Sequence, residues 1–234
     1  MGETAVVAPD SPQSAAGHSI TLVHPLTVQH VQVDGLAGKK FAGISVDGRP
    51  ADCVRLAIRN LLSAPPELVV SGINAGSNIG INVFYSGTVA AAAEAAMLGI
   101  PAIAFSAAMV GEVNFTLAGR LCRWVLDQLL KIGLTGGDLI NVNLPSFKAG
   151  NPKGIRVVRQ STAGIEDEYV PTENPNGGQS FKLGEKYKYL DGLADTDVAA
   201  LHEGYITITP LHIDMTNHDR LSGLGKITWQ ALPK

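Results

Sequence analysis

Leu68-Val69-Val70-Ser71-Gly72-Ile73-Asn74-Ala75-Gly76-Ser77-Asn78 (68–78) is the stretch that decides the fold. Three consecutive apolar residues, two of them β-branched, empty into a loop of Gly, Ser and Asn. A short uninterrupted apolar run is the pattern of a parallel strand covered on both faces. Small polar residues directly after it mark the carboxyl edge, where open α/β sheets bind their ligands.

Working outward, helical and extended periods alternate. Upstream, Pro50 suits a first helical turn, and Val54, Ala57, Ile58, Leu61 and Leu62 form one apolar stripe before Pro65-Pro66 end it. Downstream, Ser86-Gly87-Thr88 opens an Ala-rich helix from Val89 to Leu98, closed by Gly99 in the favoured C′ position. Ile100 to Phe105 reads as a strand. Leu117, Leu121, Val125 and Leu129 mark a helix over 115–132, and Leu139 to Leu144 reads as a strand ended by Pro145. Earlier still, Ala5 to Ala8 and Leu26 to Val33 are strand candidates. The βαβαβ units over about 45–145 predict right-handed crossovers.

Beyond Pro145 the rhythm changes. Ile155 to Arg159 and Phe181 to Leu190 read as strands on either side of the turn-rich 171–178, predicting a long hairpin. A short helix over 197–202 and a strand over 205–209 follow. The expected organisation is one domain, with an α/β core over 1–146 and an extended hairpin, return strand and C-terminal arm over 147–234.

Composition narrows the function. The 234 residues carry 18 basic and 21 acidic side chains, a net charge of −3, with no basic cluster to neutralise a nucleic-acid backbone. No apolar run approaches the roughly 20 residues of a membrane span, and the N-terminus has no signal-peptide pattern, so a cytoplasmic protein is expected. Charged residues are 17%, against about 25% in an average chain, which favours extra buried surface as in an oligomer. Cys53 and Cys122 lack CxxC spacing and read as buried thiols. No glycine fingerprint of a dinucleotide-binding oxidoreductase follows the first strand.

Three loops carry candidate chemistry. In 71–78, Gly72 and Gly76 allow close backbone approach, while Asn74 and Asn78 offer carbonyl oxygens to a cation or amides to a phosphate. At 86–88, a helix start favours an anion, although either hydroxyl also fits an N-cap. In 11–19, Ser14 and His18 follow the first strand and reach toward the same edge. Asp195 or Thr196 fits a helix cap better than half of a carboxylate pair, and His212 and Asp214 stay ambiguous.

VVAPDSPQSAAGHSIT (6–21), GRPADCVRLA (48–57), LVVSGINAGSNIG (68–80), YSGTVAAAAEA (85–95), NVNLP (141–145) and GYITITPLHIDMT (204–216) together resemble the survival protein SurE family, collinearly over nearly the whole chain. The resemblance implies a three-layer, doubly wound, mostly parallel sheet. It also implies a divalent-metal-dependent phosphomonoesterase acting on nucleoside 5′- and 3′-monophosphates, with short polyphosphate in some members. Ser14 and Asn74 match the family's metal-binding serine and asparagine, with one Mg²⁺ or Mn²⁺ per subunit. Asn78, Ser86, Gly87 and Thr88 match residues around the phosphate, and His18 is the candidate catalytic acid or base by motif. The region after Pro145 matches an arm used in dimer and tetramer contacts, so a homodimer or homotetramer is expected.

One departure qualifies this. The family motif Asn-Asp-Asp-Gly, with both metal-binding aspartates, is missing from the 234 residues, as is the first βα unit that carries it. The expectation is weak metal affinity and unpaired strand edges where a central strand would lie. A non-catalytic nucleotide or phosphate binder, or an assembly subunit, is the alternative class.

Overall fold

The computed structural model describes residues 2–35, 40–174, 177–184, 188–189 and 193–229. The core is a five-stranded sheet of β4 (Val69–Ala75), β5 (Ala102–Ala107), β6 (Leu139–Leu144), β12 (Ile206–Leu211) and β7 (Ile155–Val157), in that order. β4, β5 and β6 run parallel, β12 is antiparallel to β6, and β7 is parallel to β12.

Side-chain alternation assigns the two faces. Ile103, Phe105, Val142 and Leu144 turn toward α3 (Phe115–Ile132), whose stripe Ala118, Cys122, Val125, Leu126 and Leu129 is buried against them. Each such Val or Leu contributes about 1.5–3 kcal/mol through burial. Ala102, Ala104 and Leu139 face the other way, against Val89, Ala92, Ala93 and Ala96 of α2 (Gly87–Met97). α1 (Pro50–Leu56) adds Val54 to that layer. Gly99, at φ 78°, ends α2 as expected.

The units β4–α2–β5 and β5–α3–β6 step in the same direction across the sheet but put their helices on opposite faces. They therefore have opposite hands, which corrects the expectation that every crossover is right-handed. Sequence periodicity locates a crossover helix without saying which face it covers.

A second sheet holds β1 (Val7–Pro9), β3 (Lys40–Val46) and β2 (Val28–Asp34), ordered β1-β3-β2. β3 has no counterpart in the sequence reading, because Gly43 and Ser45 break its apolar run; antiparallel pairing with β2 over its whole length defines it. Among the described residues, β1 pairs only with β3 and β4 only with β5, so each keeps one free edge. The structure also corrects the expectation that β4 is covered on both faces: Val70 is 48% exposed.

A hairpin is present, but not between the expected strands: 155–159 contributes β7 to the core sheet, parallel to β12, and both arms of the hairpin lie after it. β8 (Ile165–Glu166) pairs with β11 (Lys188–Tyr189), and β9 (Tyr169–Thr172) with β10 (Ser180–Leu183). The strand expected over 181–190 is thus divided, and residues 185–187 and 190 lie outside the described residues, as do 175–176 of the turn-rich stretch. α4 (Asp197–His202) leads into β12, and α5 (His218–Leu224) lies in an exposed tail. No helix among the described residues is long and apolar enough to cross a membrane.

Polar side chains interrupt the α2 face at the ends of the strands. Asn141 stands opposite Thr209 and Asn143 opposite Thr207, all fully buried. Asn141 Oδ1 and the hydroxyls of Thr207 and Thr209 have no partner among the described residues. Replacing Thr209 by Val removes an unmade buried bond and should stabilise the fold by about 1 kcal/mol. A urea midpoint that falls instead would show that the hydroxyl is bonded through internal water.

Candidate phosphate-binding site

Three connections converge on the carboxyl ends of the parallel strands: the loop after β1, the loop after β4, and the start of α2. The Gly17 N–H donates to the Tyr85 carbonyl at 3.0 Å, docking the first loop beside the helix start. A Cβ on Gly87 would lie 3.5 Å from the Gln13 carbonyl and 2.9 Å from Pro50, so loop, α1 and α2 are in close contact there. Ser86 is the N-cap: its hydroxyl accepts from Val89 N–H at 3.0 Å. That is the capping role anticipated as one of two readings. The amides of Gly87 and Thr88, in the first turn of an eleven-residue helix, still point along the positive end of its dipole.

Ser14 sits exposed in the turn of the first loop, and Ala15 beside it has φ 53°. Asn74 lies within β4, which extends through half of the expected loop; its Nδ2 donates to the Gly76 carbonyl at 2.8 Å. No hydrogen bond joins Ser14 to Asn74 among the described residues. Asn78 is buried: its Nδ2 donates to Ser106 Oγ at 2.8 Å, and its backbone exchanges bonds with the Asn141 and Asn143 side chains. Asn78 thus ties the loop after β4 to β5 and β6.

His18 is on the flank of α2. Its Nε2 lies 2.9 Å from Glu94 Oε2, and Arg55 Nη1 of α1 donates to Glu94 Oε1 at 2.8 Å. The sequence reading passed over Glu94, although it is the lone charge in the run from Val89 to Leu98. A single acid in an alanine helix is a signal that something must pair with it. Asp52 was also passed over; its carboxylate accepts from Thr21 N–H, Thr21 Oγ1 and Arg49 N–H, fixing the chain just after the first loop.

The other candidates are structural or distant. Thr196 caps α4, Asp195 pairs with Arg159, and buried Asp197 accepts from the Gly80 and Ser161 N–H groups. Asp214 accepts from Thr216, which holds its carboxyl below the ordinary range, and pairs with His218. Since β12 is antiparallel, its end carries His212 and Asp214 to the edge where β6 begins, opposite the loops. Cys53 and Cys122 are free and buried, and burial pushes both thiols up to about 12, so neither is a thiolate at neutral pH.

A divalent cation ordinarily takes one or two carboxylates from the protein. Among the described residues no three His, Cys, Asp or Glu side chains gather to hold one. Ser14 and Asn74 are neutral, and the nearby carboxylates of Asp52 and Glu94 are committed to the partners above. These residues alone do not fit a Mg²⁺ or Mn²⁺ site.

The fold and loops define an α/β protein whose helix α2 begins, capped by Ser86, at the carboxyl edge of its sheet. The family model for survival protein SurE matches residues 1–167. The 5′-nucleotidase SurE of Christiangramia forsetii is 41% identical over 226 residues, covering 96% of this chain and 86% of the relative. That of Syntrophobacter fumaroxidans is 39% identical, covering 96% and 88%. The crystal structure of the SurE protein from Aquifex aeolicus superposes with a TM-score of 0.79 at 35% identity, over 96% of this chain and 88% of that one. The chain belongs to the SurE family.

Proposed function

We propose that this chain carries the phosphate-binding part of a nucleotidase site that hydrolyses nucleoside 5′- and 3′-monophosphates to nucleoside and phosphate. The observation that carries this reading is the docking of the Ser11–Ser19 loop on the capped start of α2, at the carboxyl edge of a SurE-type sheet. Relatives named 5′-nucleotidase support the substrate class. The Gly87 and Thr88 amides and the helix dipole hold the phosphate dianion. The same donors stabilise charge that spreads over the phosphoryl oxygens in the transition state. In a site that also supplied carboxylates, Mg²⁺ or Mn²⁺ would act as a Lewis acid. Ser14 and Asn74 need carboxylates besides themselves to hold it.

Exposed Tyr169, Phe181 and Leu183 on the arm support self-association as a homodimer or homotetramer. A non-catalytic phosphate binder is the second reading, favoured by the commitment of the Asp52 and Glu94 carboxylates to structural partners.

Calorimetric titration tests the anchor. Adenosine monophosphate should bind at least about tenfold more tightly than adenosine, and Thr88→Pro, which removes an amide donor at a position of the first turn that tolerates proline, should erase most of that difference. Equal affinity for nucleoside and monophosphate would sink the assignment.

A further inference from the structure

We propose that Glu94 is a positioning residue: its buried carboxylate clamps His18 of the loop after β1 and Arg55 of α1, and so holds Ser14 over the phosphate-binding start of α2. The proposal rests on the phosphate site described above. Glu94 is 3% exposed in a helix otherwise built from small apolar residues at its buried positions. Burying a carboxylate costs several kcal/mol unless it is paired, whereas alanine at this position would pack without that cost. Both of its oxygens are occupied, Oε2 by His18 Nε2 at 2.9 Å and Oε1 by Arg55 Nη1 at 2.8 Å. The two partners remain partly exposed, with side chains 32% and 42% accessible. Only the acid is inside, so it is the anchor and the others are held by it.

The loop is attached to α2 on both sides of Ser14. On one side the Gln13 carbonyl abuts Gly87. On the other, Gly17 N–H is bonded to Tyr85 and His18, the next residue, to Glu94. Ser14, Ala15 and Ala16 bridge the attachments, with Ser19 Oγ closing the turn onto the Ala16 carbonyl at 2.9 Å. Glu94 is seven residues beyond Gly87, about 10 Å along the axis at 1.5 Å per residue, so His18 acts on the phosphate through the loop rather than by contact. With a carboxylate on Nε2, that nitrogen carries the proton and Nδ1 is left bare in the neutral ring.

The experiment uses the 234-residue protein with Glu94→Gln, His18→Ala and His18→Gln, and inorganic phosphate as probe. Glu94→Gln keeps the side-chain volume and the Oε1 acceptor for Arg55. Three quantities are read: the ¹⁵N ring shifts of His18, hydrogen exchange at the Gly17 amide, and phosphate affinity by calorimetry. The wild type should show the Nε2–H tautomer. Glu94→Gln should mix the tautomers, speed Gly17 exchange about tenfold or more and weaken phosphate binding about tenfold, the scale of one hydrogen bond to a charged group. His18→Ala should match it in exchange and affinity, and the double variant should be no worse than either. His18→Gln, which keeps an N–H donor, should restore affinity to within about threefold of wild type.

Wild-type tautomer and exchange in Glu94→Gln would overturn the clamp. A loosened loop with undiminished phosphate affinity would overturn the positioning role while leaving the phosphate site standing. A wild type that binds no phosphate would overturn the site and the positioning role together, with the clamp still readable from exchange.

Discussion

Phosphate release from nucleoside monophosphates by the 234-residue polypeptide should stay at least about a thousandfold below an ordinary enzymatic rate in saturating Mn²⁺, and chelation by EDTA should change it little. A bound divalent ion supplies several kcal/mol of transition-state charge stabilisation, and each 1.36 kcal/mol is a factor of ten. That contribution requires the ion to be held. Ser14 and Asn74 bring no formal charge, Asp52 is occupied by Thr21 and Arg49, and Glu94 by His18 and Arg55. Taking either acid for the metal would break a buried arrangement that stabilises the loops. A steady-state phosphate assay with and without Mn²⁺ decides the matter. Turnover at a normal rate, abolished by EDTA, would show that the chain assembles a metal site from the residues it has, and the non-catalytic reading would fall with it.

Gly72→Ala should destabilise the fold by at least about 3 kcal/mol, a large share of the 5–15 kcal/mol that holds a typical domain. Gly72 has φ 112°, outside the range of L side chains, and a Cβ there would collide with the Phe105 carbonyl oxygen of β5. Neither side of that contact can yield cheaply, because both are backbone within one parallel ladder. β4 and β5 pair at Val69, Val70 and Ser71, shift register, and pair again at Asn74 and Ala75. The shift lies at Gly72-Ile73, so the substitution would displace Asn74 and, beyond it, Asn78 from the Ser106 and Asn143 side chains. Urea denaturation measures the loss, and a midpoint within about 0.5 kcal/mol of wild type would contradict the close approach. Phosphate affinity should fall with stability, since the same register sets the loop after β4.

Much of the fold was legible before any coordinates. α3 runs over the 115–132 window that its four-residue apolar spacing marked, and β6 over 139–144, because periodicity reports a buried face directly. Gly99 and Thr196 sit at the helix ends where their chemistry placed them. β3 was not legible: Lys40, Gly43 and Ser45 obscure an alternation that only its partner β2 makes coherent. The hand of one crossover was not legible either, since an amphipathic helix fits either face of a sheet that is apolar on both.

Residue order by itself determined the alternation of strands and helices, the polar loops at the carboxyl edge, and the family whose motifs those loops carry. Only the tertiary structure decided which polar groups meet. Glu94 finds His18 at a separation of 76 residues and Arg55 at 39, and Asn78 finds Asn143 at 65. Local pattern is governed by which face of an element leaves water. The partner of a buried charge or amide is governed by which other element the sheet order brings alongside, and no spacing along the chain encodes that distance.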